Sequence, residues 1–237
     1  MAAVGAFVVV DDLSSARWLT ESISSFAESV GSLIPATFGA YARVFHPAYH
    51  GGDPVSWAQV ARANGRIVHP QMQFNRLIGY SSRYSPDYLP RQSGVFDEAP
   101  TVGKPPPDVG ASLARTLARH TTTAAHCWFA LWDGRGDLDQ AFHGQPTFQL
   151  PHRDYHLAGG PVAAASQLLG TVGRYSANLW WPADHAWCVA TDIDLDSTYV
   201  GASEACIEEL LAKSELEVAP LSVTAGVTAD SDTLNPA

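Results

Sequence analysis

The chain has little charge and little cysteine, and it contains no run of basic residues. Charged side chains make up 16% of its 237 residues, and acids outnumber bases for a formal net charge of −10. A field of that sign repels phosphate backbones, which are gripped by clustered Lys and Arg. Nucleic-acid binding is therefore not expected, whereas a basic protein partner or a cationic ligand is compatible with it. Three cysteines, Cys127, Cys188 and Cys206, form no C-x-x-C pair. That excludes a disulfide framework and a cysteine-based zinc site as expectations and leaves buried, reduced thiols. No apolar run approaches the length of a membrane span. The patch Val4–Val10 lacks a preceding positive charge and is stopped by Asp11 and Asp12, so no leader, anchor or membrane association is expected and the expected location is cytoplasmic. The nucleophile elbow G-x-S-x-G, the P-loop and the dinucleotide fingerprint G-x-G-x-x-G are all missing.

Apolar residues account for 46% of the chain and include seven tryptophans. That is enough to fill a core without a staple. Ala6–Val10 reads as a strand. Ser14 or Ser15 then caps a helix whose stripe Leu19, Ile23, Phe26 and Val30 runs to Gly31. Ala40–Phe45 predicts a strand, and Asp53-Pro54 predicts the start of a helix ended by Asn64-Gly65. Prolines then crowd residues 81–108, which read as a long loop or lid. Asp108 is placed to cap a third helix with Val109, Leu113 and Leu117 inward, and Ser203 a last one with Ile207, Leu210 and Leu211 inward. His126–Trp132, 147–150, 154–158 and a hairpin over 178–195 read as strands. With no regular alternation of strand and helix, the expectation is an α+β fold: a mainly antiparallel sheet with three to four packing helices. It occupies residues 1–221 as one domain, and a small, polar tail over 222–237 is expected to be disordered.

Two constellations are candidates for function. Along a strand over 187–196, alternation places Asp192, Asp194 and Asp196 on one face, at steps of about 7 Å. Such a row suits a basic partner gripped with the help of exposed Trp180 and Trp181. As the start of a calcium loop it fails, because Ser197 and Ser203 stand where that loop needs glycine and glutamate. No metal and no cofactor is expected. The two H-x-x-x-H spacings, His46/His50 and His152/His156, lie beside prolines and outside helices, so they do not predict zinc. The second constellation is polar: Arg153 and Tyr155, brought to Asp184 and His185 if their strands pair.

The runs Leu33-Ile34-Pro35-Ala36-Thr37-Phe38, Cys127 to Gly134 and, above all, Trp180 to Gly201 resemble uncharacterised actinobacterial proteins, a resemblance that implies no particular activity. The leucine-proline-aromatic start is also similar to the immunity-protein superfamily that includes yeast Knr4-like domains. Those are α+β modules that bind and neutralise toxins, and the similarity implies the same kind of fold and a partner-binding role. The first expectation is thus a non-enzymatic protein-binding module, immunity-like, using the acidic face. The second is a small-molecule enzyme with Arg153, Tyr155, Asp184 and His185 in an aromatic pocket under the Pro-rich lid.

Overall fold

The computed structural model describes residues 3–136, 138–167 and 175–236. Five helices are present among them: α1 (Arg17–Ser22), α2 (Trp57–Ala63), α3 (Phe74–Leu77), α4 (Pro107–Leu117) and α5 (Glu204–Leu211). The strands are β1 (Ala3–Val4), β2 (Phe7–Val10), β3 (Ala40–Phe45), β4 (Ala48–His50), β5 (Asp53–Val55), β6 (Cys127–Trp132), β7 (Phe148–Leu150), β8 (Arg153–Gly160), β9 (Leu179–Pro182), β10 (Cys188–Ala190), β11 (Ser197–Ala202) and β12 (Glu217–Leu221). Ten of them form one sheet in the order β1-β2-β8-β6-β9-β10-β11-β3-β12, with β7 added on β8, while β4 and β5 pair separately. The strand pairings are antiparallel. The fold is α+β, as the sequence predicts. None of the described helices is long and apolar enough to cross a membrane.

Both faces of the sheet are covered, and alternation along each strand divides the apolar residues between them. Phe129, Trp180, Val189, Val200 and Val44 pack on one face with Leu113 and Leu117 of α4 and Ile207 and Leu210 of α5. Ala130, Trp181, Ala190, Tyr199 and Tyr41 pack on the other with Leu19 of α1, Ile34 and Val227. Trp180 and Trp181 are adjacent in sequence and therefore serve opposite cores. At 3% and 0% exposed, neither is the surface side chain the sequence reading made it. A third cluster, Phe45, Trp57, Val60, Phe74 and Phe96, fills the space under α2 and α3.

Three expectations are corrected by local chemistry. The first helix stops at Ser22 rather than Gly31, because the Ser22 hydroxyl bonds back to Trp18 O at 2.6 Å and Ile23 turns extended. Phe26 is thereby released from the helix. The second helix is capped by Ser56, not Asp53: Ser56 and Gln59 form a reciprocal capping box, and Asp53-Pro54 belongs to β5. The carboxyl-terminal residues, expected to be disordered, run back along the fold. Ala225 O and Val223 O accept from Val30 N and Gly31 N, and the buried Asp232 carboxylate accepts from Gln73 N and Asn235 N, both at 3.0 Å.

Candidate functional site

β10 ends at Ala190 and β11 begins at Ser197, so the three acids lie in the connection between strands rather than along one. Asp192 shapes it: its Oδ1 accepts from Asp194 N at 3.0 Å and its carbonyl from Leu195 N at 3.1 Å. The connection seats on Gly103 of the Pro-rich segment, where φ is +78° and a Cβ would come within 2.8 Å of Ile193 O. The expected acidic strand face is therefore absent. The physical reason is that Asp side chains bind local backbone N–H groups and favour a turn over continued pairing.

Nor are the acids unpaired. Asp196 is 6% exposed and is held by Arg83 at 2.8 Å and Arg43 at 3.9 Å. Asp192 and Asp194 lie 3.5 and 3.2 Å from Arg153. Arg153 itself is clamped between aromatic rings, 4.7 Å from the Phe26 centroid and 4.9 Å from that of Trp132. Phe26, which helical spacing had assigned to the core, is thus a wall of the site. Ala27 beside it and His152 across from it both hold φ above +50°, a conformation costly for residues with a Cβ.

Phe26, Ala27, Arg83, Asp192 and Asp194 border a cavity of about 320 Å³. Its walls are Phe26, Leu33, Leu195 and Val227, with Arg83, Asp192 and Asp194 among its polar lining. A recess of about 20 Å³ adjoins it at Phe26, Leu33 and Asp192 and is lined by Arg153, Tyr155 and Asn178. Burial, reinforced by the Asp192 charge, raises the Tyr155 pKa, so the phenol stays protonated. Most of the Pro-rich segment is stitched down rather than poised above the cavity: Tyr49 N bonds Glu98 O, Phe96 is buried, and Gly103 N bonds Leu195 O. Only Ser82, Arg83 and Tyr84 from it reach the lining.

No protein-family model, curated protein or solved structure matches the chain.

The four residues of the predicted polar constellation do not meet. Tyr155 is opposite Trp132 at one end of β6, whereas the turn bearing Asp184 and His185 follows Pro182, opposite Cys127 at the other. Five residues of strand separate those ends, about 17 Å. Asp184 works as a turn clasp, accepting from Thr121 Oγ1, Thr122 N, Thr122 Oγ1 and Ala186 N. Burial opposes its ionisation, but those hydrogen bonds prevail and bring its pKa down to about 2. His185 stacks on Trp18 with centroids 4.4 Å apart. Burial lowers its pKa against the pull of Asp184. The three thiols are buried, which raises the pKa of Cys127 and Cys206 to about 12 and that of Cys188 further. They are poor nucleophiles. The residues that sequence reasoning missed are Phe26, Arg43 and Arg83. Their signal was faint: Arg43 sits in an otherwise apolar predicted strand, which demands a buried partner.

Proposed function

We propose that this chain binds a small, partly apolar molecule in the cleft bordered by Phe26, the 82–84 segment, the 192–195 connection and Val227. One observation carries the reading: a 320 Å³ cavity whose apolar walls converge on a few fixed polar groups, Arg83, Asp192 and Asp194, with Arg153 behind them. Clefts of this size and lining are how proteins hold small ligands. Clamped guanidiniums and a turn fixed by its own hydrogen bonds arrive preorganised, so little ordering is needed on binding. The reading keeps Arg153 and Tyr155 from the polar constellation, replaces Asp184 and His185 with Arg83, Asp192 and Asp194, and assigns binding without turnover. An acidic-face protein module is less well supported, since the three carboxylates it needs are engaged by three guanidiniums.

The test is a fragment screen by ligand-observed NMR on the full chain and on Ala229→Trp. Ala229 is a half-buried lining residue, where an indole would fill the cavity. We expect a set of fragments that bind the parent chain and are lost in the variant, with the variant's circular dichroism unchanged. Fragments that bind both proteins equally would remove the cleft as the binding site.

A further inference from the structure

The charges around the cleft are shared unequally. On one side a single carboxylate, Asp196, serves two guanidiniums, Arg83 at 2.8 Å and Arg43 at 3.9 Å. On the other a single guanidinium, Arg153, serves two carboxylates, Asp192 at 3.5 Å and Asp194 at 3.2 Å. The first triad carries an excess positive charge and the second an excess negative one. Arg43 and Asp196 are shut away from solvent, so the positive excess reaches the cavity through Arg83, whose side chain is 23% exposed. The negative excess reaches it through Asp194, 57% exposed, with Oδ2 turned to Arg153. Glu217, the other carboxylate near Arg43, is taken up by Trp57 N and Ala58 N at 2.6 and 2.8 Å and lies outside the lining. Arg135, near Tyr155, stacks on Tyr175 and is likewise outside the lining.

A ligand with one charge answers only half of this lining. A simple cation meets Asp194 and leaves Arg83 facing an apolar body. A simple anion meets Arg83 and sets its charge beside Asp194. Burying a charge without its partner is costly, and charge complementarity sets specificity. The recess adds a third polar point. Tyr155 is 5% exposed and lines it, and its hydroxyl hydrogen-bonds to none of the described residues. The recess is large enough for one water or one small polar substituent.

Resting on the small-molecule reading above, we propose that the cleft selects a zwitterion with an apolar body, its ammonium group at Asp194 and its carboxylate at Arg83. A free α-amino acid with an apolar side chain is the simplest member of the class. The apolar part would lie along Phe26, Leu33 and Val227, which line the same cavity as Arg83 and Asp194.

Titration calorimetry with three probes tests this: L-phenylalanine, phenethylamine, which lacks the carboxylate, and 3-phenylpropionate, which lacks the ammonium. L-Phenylalanine is expected to bind roughly tenfold tighter than either analogue, the difference one charge-assisted hydrogen bond makes. Asp194→Asn, at an exposed position, should weaken L-phenylalanine and phenethylamine and leave 3-phenylpropionate unharmed. Either analogue matching L-phenylalanine, or Asp194→Asn leaving the order unchanged, overturns the inference. If none of the three binds while the fragment screen still finds ligands lost in Ala229→Trp, the zwitterion inference falls and the cleft reading stands. If the screen finds none, the cleft reading falls with it.

Discussion

Arg43 gathers several of the fold's buried polar groups around one side chain. It sits on β3 with its guanidinium over three rings, 4.6 Å from Phe45, 5.0 Å from Trp57 and 5.8 Å from Tyr199. Its Nε donates to Ser197 Oγ at 2.9 Å and its Nη1 to Met72 O at 2.7 Å. A guanidinium suits this place because it is weakly hydrated, planar and able to stack while donating sideways. Arg43→Met would fill the same aromatic box but strip Asp196 of one counter-charge and leave the Met72 carbonyl and Ser197 hydroxyl short of a donor. We expect a loss of about 3 kcal/mol in urea unfolding, near the lower bound for breaking a buried pair because Arg83 remains. Arg43→Lys keeps the charge but not the fork and should lose less. Equal losses for the two would mean that the fork's hydrogen bonds to Ser197 and Met72, not its charge beside Asp196, set the cost.

At the scale of elements, what was legible is what local chemistry decides. The α5 cap at Ser203, the Asn64-Gly65 stop with Gly65 at φ +62° and the β9–β10 hairpin follow from neighbours in sequence. The candidate site was not legible, because its pairings are distant: Arg83 meets Asp196 across 113 positions and Arg153 meets Asp194 across 41. An i, i+2 row of aspartates looks the same in a strand and in a turn closed by Asp192, and only those remote arginines distinguish them. The terminal strap was missed for a like reason. Its polar composition suggests disorder, yet one buried carboxylate, Asp232, gathers His69 Nε2 at 2.8 Å, Gln73 N and Asn235 N. The strap also supplies Val227, Thr228 and Ala229 to the cleft. Asp232→Ala should release it as a unit, because several buried donors lose their acceptor together. Hydrogen exchange is then expected to rise roughly tenfold over 66–75 and 222–236, with the β6–β9–β10 ladder unchanged. Exchange rising equally across that ladder would show that the strap is not a separable element.

For the molecule as a whole, the buried junction at His46 ties together parts that the chain order keeps apart. Its Nδ1 lies 2.7 Å from Thr101 O, which can only accept, so Nδ1 carries the proton and Nε2 accepts from Thr198 Oγ1 at 2.9 Å. Its backbone takes Trp57 Nε1–H on the carbonyl and gives its own N–H to Asp196 O. β3, β11, α2 and the Pro-rich segment therefore meet at one neutral imidazole. Burial is the largest influence on it and brings its pKa from 6.5 down to about 4, even though the Thr101 contact and Asp196 favour the charged form. In the unfolded chain the same ring takes its proton near pH 6.5. Between pH 6.5 and 4 the unfolded state thus holds more protons than the folded one, and stability falls as pH is lowered through that window, by about 3 kcal/mol in all. The depressed carboxyls, Asp184 and Asp232, act with the same sign but only below about pH 4, where their unfolded forms begin to protonate. His185 also titrates low, so the contribution of His46 is isolated by substitution. His46→Gln keeps a donor and an acceptor without a titrating group. It should be less stable than the parent at pH 7 and lose markedly less between pH 7 and 4.5 in urea unfolding. A His46→Gln chain with the parent's slope would mean that the junction admits a proton in the folded state and does not hold the four elements by staying neutral.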